Sequence, residues 1–194
     1  ATISYDAKLF NKKYAGAEEG NVAGAGIMFM NDKAMGGVVK SNYASGNFSY
    51  RVNLSNGPVK HKIGAGFGAI YGHRRINFSG IDFEEQFTGY GFNTNLPHGE
   101  TSLSNMKPYL SVSTGLLYSM VSEKTNIDIG GAAFHVNRPK QTFLKDDRQY
   151  LAIRYVLHTN FETFITDNAV LSFNTIFQKQ MTAQYYSVGG AIGY

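Results

Sequence analysis

The sequence has no cysteine, no tryptophan and only 4 prolines among its 194 residues. Without cysteine there is no disulfide framework, no thiolate nucleophile and no cysteine metal site. Nor is there a run of the roughly 18 apolar residues that a spanning helix needs, which excludes an α-helical membrane protein. Charge of one sign is not concentrated either: 18 Lys and Arg against 14 Asp and Glu give a formal net charge of +4. The basic residues are scattered, so no nucleic-acid partner is expected. A signal peptide is also missing, because Ala1-Thr2-Ile3-Ser4-Tyr5 already alternates as a strand does. The chain reads as one β domain over residues 1–194, cut from within a larger one.

What is abundant is glycine and aromatic residues, with 22 Gly, 13 Tyr and 14 Phe. With so little proline, this composition favours β structure. Nine segments sort alternate residues into an apolar set and a polar or small set, the signature of a strand with two unlike faces. The clearest sets Ala44, Gly46, Phe48, Tyr50, Val52 and Leu54 against Ser45, Asn47, Ser49, Arg51 and Asn53. A second places Leu151, Ile153, Tyr155, Leu157 and Phe161 opposite Arg154, His158, Asn160 and Glu162. In a third, Ile63, Ala65, Phe67, Ala69 and Tyr71 oppose a face of Lys60, Lys62, Gly64, Gly66 and Gly68 that is nearly bare backbone. The segment near 126–136 is the weakest of the nine. The mean hydropathy of -0.24 decides nothing, since a barrel that alternates lipid-facing with lumen-facing residues averages to an ordinary value.

Several segments extend about 10–12 residues, the length of a tilted strand crossing a bilayer. Their connections also differ. Residues 55–58, 122–126 and 166–168 are tight turns, whereas 31–41, 73–107 and 137–148 read as longer polar loops. Short turns on one side and long loops on the other mark an outer-membrane barrel, the short side being periplasmic. Tyr5, Tyr43, Tyr71, Tyr109, Tyr118, Tyr150 and Tyr194 fall near strand ends, where interface girdles sit. The competing explanation is that tyrosine is simply common in strands. The expected fold is thus all-β, an antiparallel transmembrane β-barrel of the outer membrane. On this reading Phe48, Tyr50, Val52, Leu54, Leu151, Ile153, Tyr155 and Leu157 face lipid.

Three stretches carry a resemblance. These are Met30-Asn31-Asp32-Lys33 after a Gly-rich strand, Gly115-Leu116-Leu117-Tyr118 followed by Ser122-Glu123-Lys124, and His135-Val136-Asn137-Arg138-Pro139-Lys140-Gln141-Thr142-Phe143. With them the chain resembles, over nearly its whole length, the PorP/SprF family of type IX secretion system membrane proteins of Bacteroidota. The resemblance implies an integral outer-membrane barrel that helps export or anchor surface proteins, including those for gliding motility in some relatives. It implies no catalysis and no cofactor. It also implies strands beyond both ends, in keeping with the even strand number of bacterial barrels. The expected partners are the lipid bilayer and other secretion-system or secreted surface proteins. The loop opening with Asn137, Arg138, Pro139 and Lys140 is the candidate partner-binding site.

Other chemistry is weighed against this. His61, His73, His98, His135 and His158 lack the spacing that would put two ligands on one element, and rim or lumen positions suit them better. Serine, histidine and asparagine are present as an outer-membrane phospholipase would need, but without a distinguishing motif. Gly64-Ala65-Gly66-Phe67-Gly68 has no helix after it, so it is a strand with bulk removed from one face and not a dinucleotide loop. Asp82, Glu84, Glu85, Asp146 and Asp147 read as solvated charge, with Ca²⁺ binding the alternative. The aromatic-rich interval 73–107 reads as a plug or a partner-binding loop. Two rival functions remain: a passive porin for small solutes, whose wall here lacks a single-sign ring, and a soluble ligand-binding barrel.

Overall fold

The computed structural model describes residues 1–12, 20–55, 57–78, 81–97, 99, 106–142 and 149–194, with side chains at 11 and 12 excepted. The long strands are β1 (Thr2–Lys12), β2 (Asn21–Ala34), β3 (Val39–Asn53) and β4 (Lys60–Ile76), then β7 (Tyr109–Val121), β8 (Thr125–Phe134), β9 (Arg154–Thr166), β10 (Ala169–Gln180) and β11 (Ala183–Gly193). Between β4 and β7 lies a miniature hairpin of β5 (Phe87–Thr88) and β6 (Gly91–Phe92). The long strands form one nine-stranded antiparallel sheet in which each pairs only with its neighbours along the chain. The described sheet is open, with β1 and β11 at its edges.

Register explains why the alternation runs so far. Residues paired across an antiparallel ladder project to the same side. Following the partners from strand to strand links Ile27 to Gly46, Ala69 and Val112, and Ala25 to Phe48, Phe67, Thr114, Ala133 and Tyr155. From β9 onward the same side carries Leu157, Phe177 and Tyr186, then Phe161 and Phe173. All nine strands therefore contribute to one apolar face. The opposite face carries Asp6, Asn47, Ser49, Arg51, Ser113, Asp128, His158, Asn160, Asn174 and many glycines.

The apolar face is not an interior. Among the described residues, Ala23, Met106 and the loop residue Pro139 are the only buried apolar side chains, whereas Phe67 is 62% exposed, Val188 70% and Ile192 74%. A contiguous exposed apolar surface larger than a few hundred Å² marks an interaction surface.

Several sequence expectations change. The interval 31–41 is not a long loop: β2 continues to Ala34, β3 starts at Val39, and a 3-10 turn over Met35–Gly37 joins them. Met35, Gly36 and Gly37 take φ of 52°, 65° and 97°, so glycine is what permits this tight reversal. Likewise β4 reaches Ile76, and Leu151 and Ile153 precede β9 instead of lying in it. Leu151 donates its N–H to the Pro139 carbonyl at 2.9 Å, a bond that belongs to the loop. Leu54 follows the last residue of β3. Tyr43 and Tyr109, placed in the girdle from sequence, pair through Gly72 and lie on the polar face, because their register parity opposes that of Tyr71.

Candidate functional site

The loop leaving β8 is built from bonds that its sequence hides. Val136 donates to the Val112 carbonyl at 3.0 Å, one step beyond the regular ladder. The Asn137 carboxamide then imitates a strand backbone: its Oδ1 accepts from the Val112 N–H at 3.0 Å while its Nδ2 donates to the Leu110 carbonyl at 2.7 Å. Arg138 N–H closes a turn onto the His135 carbonyl at 2.8 Å, with His135 and Arg138 at φ of 59° and 46°. Pro139 is buried. Lys140 forms an isolated bridge with Tyr150, and the Arg138 guanidinium lies 4.3 Å from the centre of the Tyr150 ring. Lys107 donates to the Thr142 carbonyl at 3.3 Å, and Met106 to that of Arg74 at 3.0 Å, so this rim ties together β4, β7 and β8.

Of the four candidate partner-binding residues, Asn137 and Pro139 are thus occupied in shaping the loop. Arg138 and Lys140 present their side chains at the exposed surface. Residues 143–148, the rest of the candidate loop, lie outside the described residues, as does His98.

His135 itself bonds through Nδ1 to Ser111 Oγ at 2.7 Å. Burial holds its pKa below the usual histidine range, and the nearby Arg154 guanidinium adds to the effect. A serine beside a neutral imidazole is the start of a hydrolytic pair. Here Ser111 is only 4% exposed, and among the described residues no third group bonds to the imidazole. The pair ties β7 to the start of the loop that leaves β8.

Of the remaining described histidines, His61 opens β4 and bonds through Nδ1 to the Tyr118 hydroxyl at 2.7 Å, at the end of the sheet opposite this rim. His73 lies near the rim end of β4 and His158 on the polar face. Among the described residues no three His, Asp or Glu side chains gather as a metal site requires.

The polar face carries a broad open groove lined by Asp6, Asn47, Ser49, Arg51, Gly66 and His158. Its glycines are placed by register. Gly26, Gly68, Gly72, Gly130 and Gly189 sit directly opposite Asp6, Asn47, Tyr109, His158 and Asn174, whose side chains lie over the bare backbone. A Cβ at Gly72 would come within 2.9 Å of the Tyr109 ring, and one at Gly189 within 2.8 Å of Asn174 Oδ1. At the rim end of this face the Arg74 guanidinium donates to Ser41 Oγ at 3.1 Å and to the Tyr43 hydroxyl at 3.3 Å. Small residues on this face were legible in the sequence; their pairing with covering side chains needs the register.

The interval between β4 and β7 has structure of its own. Gln86, 3% exposed, donates through Nε2 to the Leu96 carbonyl at 2.8 Å, and Phe83 N–H donates back to Gln86 Oε1 at 3.2 Å. The Phe87 and Phe92 rings meet edge-on at 5.2 Å, and Tyr90 at the tip of that small hairpin is fully exposed.

Searches of curated proteins and of solved structures each found no match. The sequence model of the family described as type IX secretion system membrane protein PorP/SprF matches residues 1–193. A chain matched over essentially its whole length, folded as an antiparallel sheet with one apolar and one polar face, belongs to the PorP/SprF family of type IX secretion system membrane proteins.

Proposed function

We propose that these nine strands form wall of an outer-membrane β-barrel, completed by further strand pairing at β1 and β11, with the apolar face towards lipid and the polar face towards the lumen. The observation that carries this reading is the continuity of the apolar face across every long strand while apolar burial is almost nil. Phe48, Tyr50, Val52, Tyr155 and Leu157 then face lipid within strands, whereas Leu54, Leu151 and Ile153 lie at strand ends nearer the interface. The barrel acts by contact and not by catalysis. It helps export or anchor surface proteins through partners that meet its extramembrane loops. Arg138 offers a partner carboxylate a planar donor pair, and the exposed aromatic hairpin around Tyr90 offers apolar contact.

The test uses intact envelopes and reconstituted protein. Cross-linking from Arg138 and Tyr90 should capture other secretion-system or secreted surface proteins, and loss of the protein should halt surface display of cargo. Solute flux across reconstituted bilayers, with no captured partner and normal display, would replace this reading with the passive porin.

A further inference from the structure

Arg154 opens β9 on the polar face, where it pairs with Phe134 on β8 and with Gln180 on β10. The centre of its guanidinium lies 4.5 Å from the centre of the Phe134 ring, a contact that fixes where the cation sits. Nε is buried and meets no acceptor. Among the described residues the guanidinium makes no hydrogen bond and no ion pair. The end that a ligand can reach is therefore the one bearing the two terminal nitrogens, whose N–H groups form a planar fork.

No charge on the neighbouring strands neutralises it. Arg154 is the only Lys or Arg on the polar face of β7 to β10, since Lys179 pairs with Tyr155 on the apolar face. The carboxylates of that face on those strands are Asp128, which pairs with Asn160, and Glu162. Asn160 and Glu162 lie along β9 at roughly 20 and 26 Å of strand from Arg154. Charges that far apart are screened in salt, where the Debye length is about 8 Å. His135 resists becoming a second cation, because burial and then Arg154 hold its pKa below the usual histidine range. A guanidinium that has lost part of its water without gaining a counter-charge draws an anion more strongly than a solvated one does. The approach is open as well, because the groove of the polar face reaches Phe134 over the small residues Gly66, Gly115 and Ala132.

We propose that Arg154 is a carboxylate-binding site on the polar face, taking both oxygens of one carboxylate on its terminal nitrogens while Phe134 holds the guanidinium in place. The planar fork matches the planar pair of oxygens. A single cation with no second one beside it suits a monoanion better than a phosphate, whose charge is larger. The carboxylate belongs either to a small organic acid or to an acidic side chain or C-terminus of a polypeptide lying in the groove. The site's place inside a lumen rests on the barrel reading, whereas its chemistry rests on Arg154 and Phe134 alone.

The full-length protein, carrying isotope-labelled histidine, is placed in phosphatidylcholine bilayers at neutral pH and titrated with benzoate, benzamide, inorganic phosphate, and a short peptide with one Glu or with Gln in its place. The ring signal of His135, assigned by its loss in His135→Gln, reports occupancy beside Arg154. Benzoate and the Glu peptide should shift that signal, and their amide counterparts should not. A tighter response to benzoate assigns the site to small acids, and a tighter response to the peptide assigns it to a polypeptide. Arg154→Gln should abolish the response, and Arg154→Lys should weaken it about five-fold or more because an ammonium offers no fork. Phe134→Leu should weaken it too, whereas Arg51→Gln, the same charge change on β3, should leave it unaltered. A response that survives Arg154→Gln, or falls equally with Arg51→Gln, overturns the site. Phosphate binding as tightly as benzoate overturns the carboxylate assignment. No response from the wild type also overturns it, and a loss of resistance to denaturant in Arg154→Gln then marks Arg154 as part of an internal ion pair. A normal benzoate response from protein that fails to insert in the bilayer overturns the barrel reading and leaves the site standing.

Discussion

His158 on β9 lies across the backbone of Gly130 on β8, its direct partner in the ladder, so the imidazole occupies the space a Cβ at that position would need. Gly130→Ala must therefore rotate the ring or push the strands apart, a cost of about 1–3 kcal/mol for overpacking. Gly46→Ala is the control, since a Cβ there meets nothing within 4 Å and the change leaves stability unaltered or slightly raised. Unfolding by denaturant in lipid vesicles should separate the two variants. Equal stability would mean that the covering side chain is not packed in solution.

The middle of the apolar band on β4 is Phe67, with Ile63 and Tyr71 four residues to either side. Phe67→Arg should destabilise the membrane-inserted protein by about 2–4 kcal/mol, and Tyr71→Arg by about 0–1 kcal/mol because it lies near the interface. The same equilibrium measurement in vesicles checks both. A larger loss at Tyr71 would shift the bilayer along the strands.

Asn137 and Arg138 are neighbours with separable roles. Asn137→Ala removes both carboxamide bonds to β7 and should cost about 1–2 kcal/mol, with faster hydrogen exchange at the Val112 amide. Arg138→Ala removes the contact with the Tyr150 ring and should cost about 0.5–1 kcal/mol at this exposed site. It should weaken partner capture while leaving Val112 protected. If capture and surface display survive Arg138→Ala combined with Lys140→Ala in a normally assembled barrel, the loop is structural only.

Acid should loosen the same rim. His135 resists protonation in the fold because burial, and then Arg154, hold its pKa below the ordinary value. The opened loop takes up a proton near pH 6.5. The stabilising difference is therefore complete above about pH 6.5 and is lost as pH falls from there towards the lower folded value. Protection factors at the Val136 and Arg138 amides, corrected for the intrinsic pH dependence of exchange, should fall over that window, and His135→Gln should flatten the dependence. An unchanged profile would place the acid response at another group.

The two faces were legible because a strand with unlike surroundings on its two sides must alternate, and β3 does so from Ala44 to Val52. The far ends of β2 and β3 were not, since Asn31-Asp32-Lys33 and Lys40-Ser41-Asn42 have polar side chains on both faces and so imitate a loop. Leu151 and Ile153 erred the other way: they extend the alternation of β9, yet Leu151 pairs with Pro139 in the rim. Asn137 could not be read as a backbone substitute, because its two bonds go to a strand 25 and 27 residues earlier.

Strict pairing of each strand with its sequence neighbours also sets an order of assembly. Two-residue reversals such as Asp167-Asn168 and Met181-Thr182 cost little chain entropy to close, so hairpins form locally and quickly. The long joins are that of β4 to β7, over residues 77–108, and that of β8 to β9, over residues 135–153. The longest join falls between β4 and β7, so the pairing of Ile63 with Tyr118 along that seam closes the largest loop and should form later than the hairpins on either side.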